Sequence, residues 1–229
     1  SLPVNMYNRI NQIYSWIGEL EQRMNKQDYK KDFKDLYLPK NKPALLEVPP
    51  IRFAVVDGKG DPNEDDFAEA TGALYSFSYT VKMIYKSPDA PEGIYEYTVF
   101  PLEGVWDLVD KEKPSTDKSN YAWSIMIRQP DYLTEPLFDR LLAQTRKKKP
   151  NPWLDKLRME TIREGLCCQM LHLGSYDEEP ASFAVMEEYC RDQGYQRKSK
   201  VHREIYLSDP RKTEPEKLKT VLRFQVEKR

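Results

Sequence analysis

The sequence predicts an α+β fold: duplicated β-α-β-β halves joined into one mostly antiparallel sheet, with helices on one face and a ligand cleft on the other. Three observations carry this prediction. Segments of period-two alternation, rich in β-branched and aromatic residues, flank an amphipathic helical stretch in the same order in each half of the chain. At an offset of 116 residues, Gly58 matches Gly174, Asp61 matches Asp177, Phe67 matches Phe183 and Ala68 matches Ala184. With 229 residues, 39% of them apolar and 12% aromatic, the chain can bury a substantial core.

Taken in order, the first 28 residues stand apart. Met6, Ile10, Ile13, Ile17, Leu20 and Met24 fall on one stripe of a helix. The stripe suits either a homodimer seam or packing on the protein's own body. Residues 29–229 then form the main domain, with halves at about 42–150 and 151–229. In the first half a strand is expected over Ile51–Asp57, followed by a Gly-Asp-Pro turn and a helix from Asn63 to Tyr85. Pro62 and the acids Glu64, Asp65 and Asp66 favour that helix start. IYEYTVFPLEGVWDLVD and YAWSIMIRQPDYL read as β segments around the charged loop KEKPSTDKS, and EPLFDRLLAQTRKKK as a helix. The second half repeats the pattern. EGLCCQMLHLG is a strand, SYDEEPASFAVMEEYCRDQGY a turn and a helix closed by Gly194, and HREIYLSD and LKTVLRFQV are strands. Edge-to-edge packing of the halves would leave an open face around a pseudo-two-fold axis.

Charge and composition narrow the function. Thirty-six Lys and Arg against 37 Asp and Glu give a net charge of −1, so no nucleic-acid partner is expected. No apolar run is long enough for a membrane span, and no signal peptide opens the chain, so a cytoplasmic protein without a membrane partner is expected. The three cysteines make no disulfide framework. Only two histidines occur, without C-x-x-C or H-E-x-x-H spacing, so no metal is expected. A phosphate-loop pattern is missing too, and no cofactor is expected.

The candidate site centres on HREIYLSD. As a strand it points His202, Glu204 and Tyr206 to one side and Arg203, Ile205 and Leu207 to the other. Ile205 and Leu207 are expected to pack against the helices, which sends Glu204 to the open face. A carboxylate in a cavity can serve as counter-ion to a cationic ligand or as general base on a water. Trp106 and Trp123 offer indole faces for a flat ligand, or core. Met170 and His172 share one face of their strand, and pairing of that strand with HREIYLSD would bring His172 close to Glu204. Tyr206 and Tyr176 are candidate phenol donors. Phe183, matched by Phe67, reads as helix packing.

The GSYDEEPASFAVMEEYC turn and helix, HREIYLSD and the tail PRKTEPEKLKTVLRFQV resemble the GyrI-like small-molecule-binding domain family over about Lys42 to Val226. Related domains serve as effector modules of AraC-type and MerR-type multidrug regulators; no helix-turn-helix signature precedes this one. The resemblance implies a cleft for bulky, flat, often cationic aromatic compounds, with an acid at its floor in the place of Glu204. The stand-alone branch it resembles includes hydrolases that open the cyclopropane ring of alkylating natural products by adding water. Two expectations follow. One is a protein that only sequesters or senses its ligand, with Glu204 as counter-charge; the other is a detoxifying hydrolase in which Glu204 activates water and Tyr206 or Tyr176 steadies the leaving charge.

Overall fold

The computed structural model describes residues 26–229, together with Gln12. The heptad stripe, and the homodimer it would form, lie outside the described residues. The chain runs through α1 (Tyr29–Asp32), α2 (Lys34–Tyr37), β1 (Ala44–Val48), β2 (Ile51–Lys59), α3 (Asp65–Met83), β3 (Leu102–Leu108) and β4 (Tyr121–Arg128). It continues through α4 (Glu135–Lys148), β5 (Arg158–Ile162), β6 (Gly165–Leu173), α5 (Glu179–Asp192), β7 (Tyr195–Arg197), β8 (His202–Tyr206) and β9 (Lys219–Lys228).

Local chemistry explains most boundaries. Asp65 and Asp66 occupy the first turn of α3, where the N–H groups are unpaired and the dipole is positive. Thr134 caps α4 by accepting from the Leu137 N–H. Ser175 and Glu178 form a reciprocal capping box just ahead of α5, Pro180 sits in its first turn, and Gly194, at φ +80°, ends it. The β reading of residues 94–110 is shortened to Leu102–Leu108. Pro101 offers no N–H to a ladder, and the irregular stretch before it buries Tyr97 and Phe100 instead.

The sheet is antiparallel, in the order β1-β6-β9-β8-β3-β4-β2-β5, with β7 added to β9. The two halves meet at β3 and β8, where Gly104 faces Glu204 and Trp106 faces His202 across the ladder. Each half also carries an unpredicted leading strand that crosses to the other half. β1 precedes β2 but pairs with β6, and β5 precedes β6 but pairs with β2. These edges are short and alternately exposed, so they carry little hydrophobic signal.

Register decides which side chains share a face. Gly104, Trp106, His202 and Glu204 lie on the side that carries α3 and α5: Phe67 of α3 stacks on Trp106 with centroids 5.7 Å apart, and Phe183 of α5 meets His202 edge-on at 4.7 Å. Glu103, Val105, Arg203 and Ile205 point the other way. The expected facing of β8 is therefore reversed, with Glu204 under the helices and Ile205 away from them. What pays for this is a paired charge on the far face: Arg203 donates to Glu103 at 3.0 Å, and Glu164 lies within 3.1 Å of both Arg203 and Arg223. A recess of about 250 Å³ opens on that far face beside Val105, Met126, Glu164, Arg203 and Arg223. Among the described residues, no helix is long and apolar enough to cross a membrane.

Candidate functional site

Residues two apart on a strand project in parallel, and β8 uses this to build a chain of hydrogen bonds. Glu204 is 9% exposed. Its Oε1 lies 2.9 Å from Nε2 of His202, and its Oε2 accepts from the Tyr206 hydroxyl at 2.7 Å. That hydroxyl accepts in turn from Nε1 of Trp106 at 2.8 Å. Glycine at position 104 makes room for this link. A Cβ there would stand 2.8 Å from Trp106 Nε1 and 3.0 Å from Tyr206 Oη. Burial, and then the charge of Glu204, push the Tyr206 phenol well above its ordinary value, so it remains a donor.

The second carboxylate arrives on α5. Glu179 is 6% exposed, and its donor oxygen lies within 4.8 Å of those of His202 and Glu204. Burial first, then the charge of Glu204, raise Glu179 far above the carboxylate range, which favours its protonated form at neutral pH. His172 fixes where α5 begins. Its Nδ1 is 2.8 Å from Ser182 Oγ and its Nε2 is 2.9 Å from the Ser175 carbonyl. Aromatic rings close the surroundings: Phe67 and Tyr121 against Trp106, Phe183 against His202, and Tyr176 edge-on to Tyr206 at 6.1 Å. Tyr176, 38% exposed, forms the outer rim, and burial followed by the charge of Glu204 raises its phenol to about 12.

Five of the sequence candidates thus come together: Glu204, His202, Tyr206, Trp106 and Tyr176. Trp123 is one strand further out, wedged between Phe67 and Trp153 and lying over Gly58. Met170 belongs to a small core with Cys168, Met186, Cys190, Leu222 and Phe224. His172 does not approach Glu204 as expected. Its strand, β6, is separated from β8 by β9, and both ring nitrogens are committed to the start of α5. Sequence reasoning missed Glu179. A signal was present, because Glu179, Ser182, Phe183 and Met186 follow the spacing of one helix face, and an acid on an otherwise core-facing stripe calls for a reason.

The sequence model of the GyrI-like small molecule binding domain matches residues 41–227. The chain belongs to the GyrI-like family. Small-molecule binding is thereby assigned to this GyrI-like domain. It is similar to the crystal structure of an uncharacterized conserved protein from Listeria innocua, at 38% identity and a TM-score of 0.83, over 88% of this chain and 100% of that one. A hydrolase encoded by lin2189 from Listeria innocua is 37% identical, with a TM-score of 0.82, over 89% of this chain and 100% of that one. The EcmrR C-terminal domain shares the fold at 14% identity and a TM-score of 0.50, over 82% of this chain and 98% of that one. Among proteins with curated descriptions, none matches this GyrI-like chain.

Proposed function

We propose that this GyrI-like domain binds flat aromatic, often cationic compounds between α3 and α5, over Glu204, and adds water to a strained electrophilic carbon of the ligand. One observation carries the catalytic part of the reading. Two buried carboxylates, Glu179 and Glu204, share an aromatic enclosure, and the environment keeps a proton on Glu179 while Tyr206 and His202 orient Glu204 as an acceptor. Such a pair divides the labour of acid and base. The similarity to a Listeria innocua hydrolase supports the same reading.

In this scheme the ligand enters past Tyr176 and stacks in the ring of Phe67, Trp106 and Phe183. Glu204 takes a proton from a water as its oxygen forms the new C–O bond. The strained C–C bond breaks, its electron pair passes into the conjugated carbonyl of the ligand, and Glu179 supplies the proton that neutralises it. Transfer of the proton from Glu204 to Glu179 restores the starting state. Tyr206 is a positioning residue here, and Tyr176 is assigned as the phenol that donates to the developing anion.

The experiment pairs a binding assay with a turnover assay. A flat dye cation should quench tryptophan fluorescence saturably, since Trp106 lines the enclosure. A cyclopropane-bearing aromatic substrate should yield a product one water heavier. Glu204→Gln should lower turnover by about 10²- to 10⁴-fold while a neutral analogue still binds. If wild type quenches but gives no product, hydrolysis falls and a sequestering binder remains; without saturable quenching, the binding site is elsewhere.

A further inference from the structure

Glu179, His202 and Glu204 come from α5 and β8, and each offers one donor atom within 4.8 Å of the other two. One imidazole nitrogen and two carboxylate oxygens make a donor set for a first-row divalent ion, with water completing a four-coordinate shell. We propose that these three side chains form a divalent transition-metal site that takes Zn²⁺ in preference to Mg²⁺ or Ca²⁺.

Three features beyond proximity point to a ligand. Oε1 of Glu179 is buried without a hydrogen-bond partner among the described residues, in a side chain that is 6% exposed. Such an atom ordinarily finds a donor or a cation. The outer contacts are those of metal ligands. His202 turns Nδ1 to the Lys200 carbonyl at 3.2 Å and Nε2 inward to the carboxylates, while Tyr206 secures Oε2 of Glu204 and leaves Oε1 facing the imidazole. Metal-bound histidines and carboxylates are held by just such second contacts. Charge is the third feature. Among the described residues, no Lys or Arg pairs with Glu179 or Glu204, and the nitrogen that meets Glu204 is the imidazole of His202.

Zn–ligand bonds of about 2.0 to 2.2 Å set donor separations of roughly 3 to 3.6 Å, within reach of small side-chain rotations from the present positions. The ion would take the place of the proton on Glu179 and occupy the oxygen that otherwise meets a ligand or a water. Metal and organic cation would then exclude each other. The inference rests on the three side chains and stands whether or not the domain is a hydrolase.

The test is a titration of metal-free protein with Co²⁺, read by the visible d–d bands of a four-coordinate ion. One Co²⁺ per chain should bind saturably, and one equivalent of Zn²⁺ should erase the bands, while Mg²⁺ and Ca²⁺ leave them. His202→Ala and Glu179→Gln should each weaken Co²⁺ binding by more than about tenfold, and Tyr206→Phe by about 10- to 100-fold with the band shape kept. Should His202→Ala fail to fold, Glu179→Gln carries the same reading. No saturable d–d spectrum, or one that both ligand variants leave unchanged, overturns the site. Failure there leaves the dye titration untouched, so the two readings fall separately.

Discussion

The Tyr206 hydroxyl stands between Trp106 and Glu204, accepting from the indole at 2.8 Å and donating to the carboxylate at 2.7 Å. One oxygen thus joins β3 to the buried acid on β8. Tyr206→Phe removes both bonds and leaves a buried indole N–H and a carboxylate oxygen short of partners. A loss of about 1 to 3 kcal/mol in unfolding free energy is expected, read by urea denaturation with an unchanged m-value. Turnover should fall further than dye binding, because Tyr206 orients Glu204 rather than the ligand.

Gly104→Ala probes the same link from beneath. The new Cβ would meet Trp106 Nε1 at 2.8 Å and Tyr206 Oη at 3.0 Å, so one of the two side chains must move. An overpacking cost of about 1 to 3 kcal/mol is expected. The diagnostic is a shift in tryptophan emission as the indole loses its acceptor; an unshifted spectrum with wild-type stability would contradict the close approach.

Glu179 gives the stability a distinctive pH dependence. Its folded-state value lies above 4.5, the value for a free carboxyl, so above that pH the unfolded chain releases a proton that the folded chain retains. Stability from this group is therefore complete below about 4.5 and falls as pH rises through neutrality, by at most about 1.4 kcal/mol per pH unit. Glu179→Gln removes that slope. Thermal unfolding should show the variant gaining on wild type steadily from pH 5 to pH 8; a gap that stays constant with pH would refute a protonated Glu179.

On the opposite face Glu164 bridges Arg203 and Arg223 at 3.1 and 3.0 Å. Burial raises its carboxyl, but the two guanidiniums more than offset this and hold it below the ordinary value. Glu164→Ala takes the carboxylate from buried Arg223, leaving it Gln169 and the Leu36 carbonyl, and leaves Arg203, next to Glu204 in the chain, with Glu103 alone. A loss of about 3 to 5 kcal/mol is expected at neutral pH, measured by the urea midpoint. Because the folded value is depressed, this contribution is fully present above about pH 4.5 and is lost below it, as pH falls through the lower folded value. Wild type and variant should converge in acid.

What the sequence determined by itself is the set of strongly periodic elements and the acid among them. Alternation in HREIYLSD placed His202, Glu204 and Tyr206 on one side, and the matched Phe67 and Phe183 helices marked a repeated unit, because local period and caps are written in neighbouring residues. Tertiary structure decided the rest. Which face of β8 meets the helices depended on a charge network built from Glu103, Glu164, Arg203 and Arg223, residues up to 120 positions apart, so the apolar Ile205 could face either way. The strand order put β9 between β6 and β8 and took His172 out of the site. Glu179 reached Glu204 because His172 and the Ser175 capping box set where α5 begins above the sheet. Proximity of groups on separate elements is a property of the assembled sheet and the helices packed on it, and no local period encodes it.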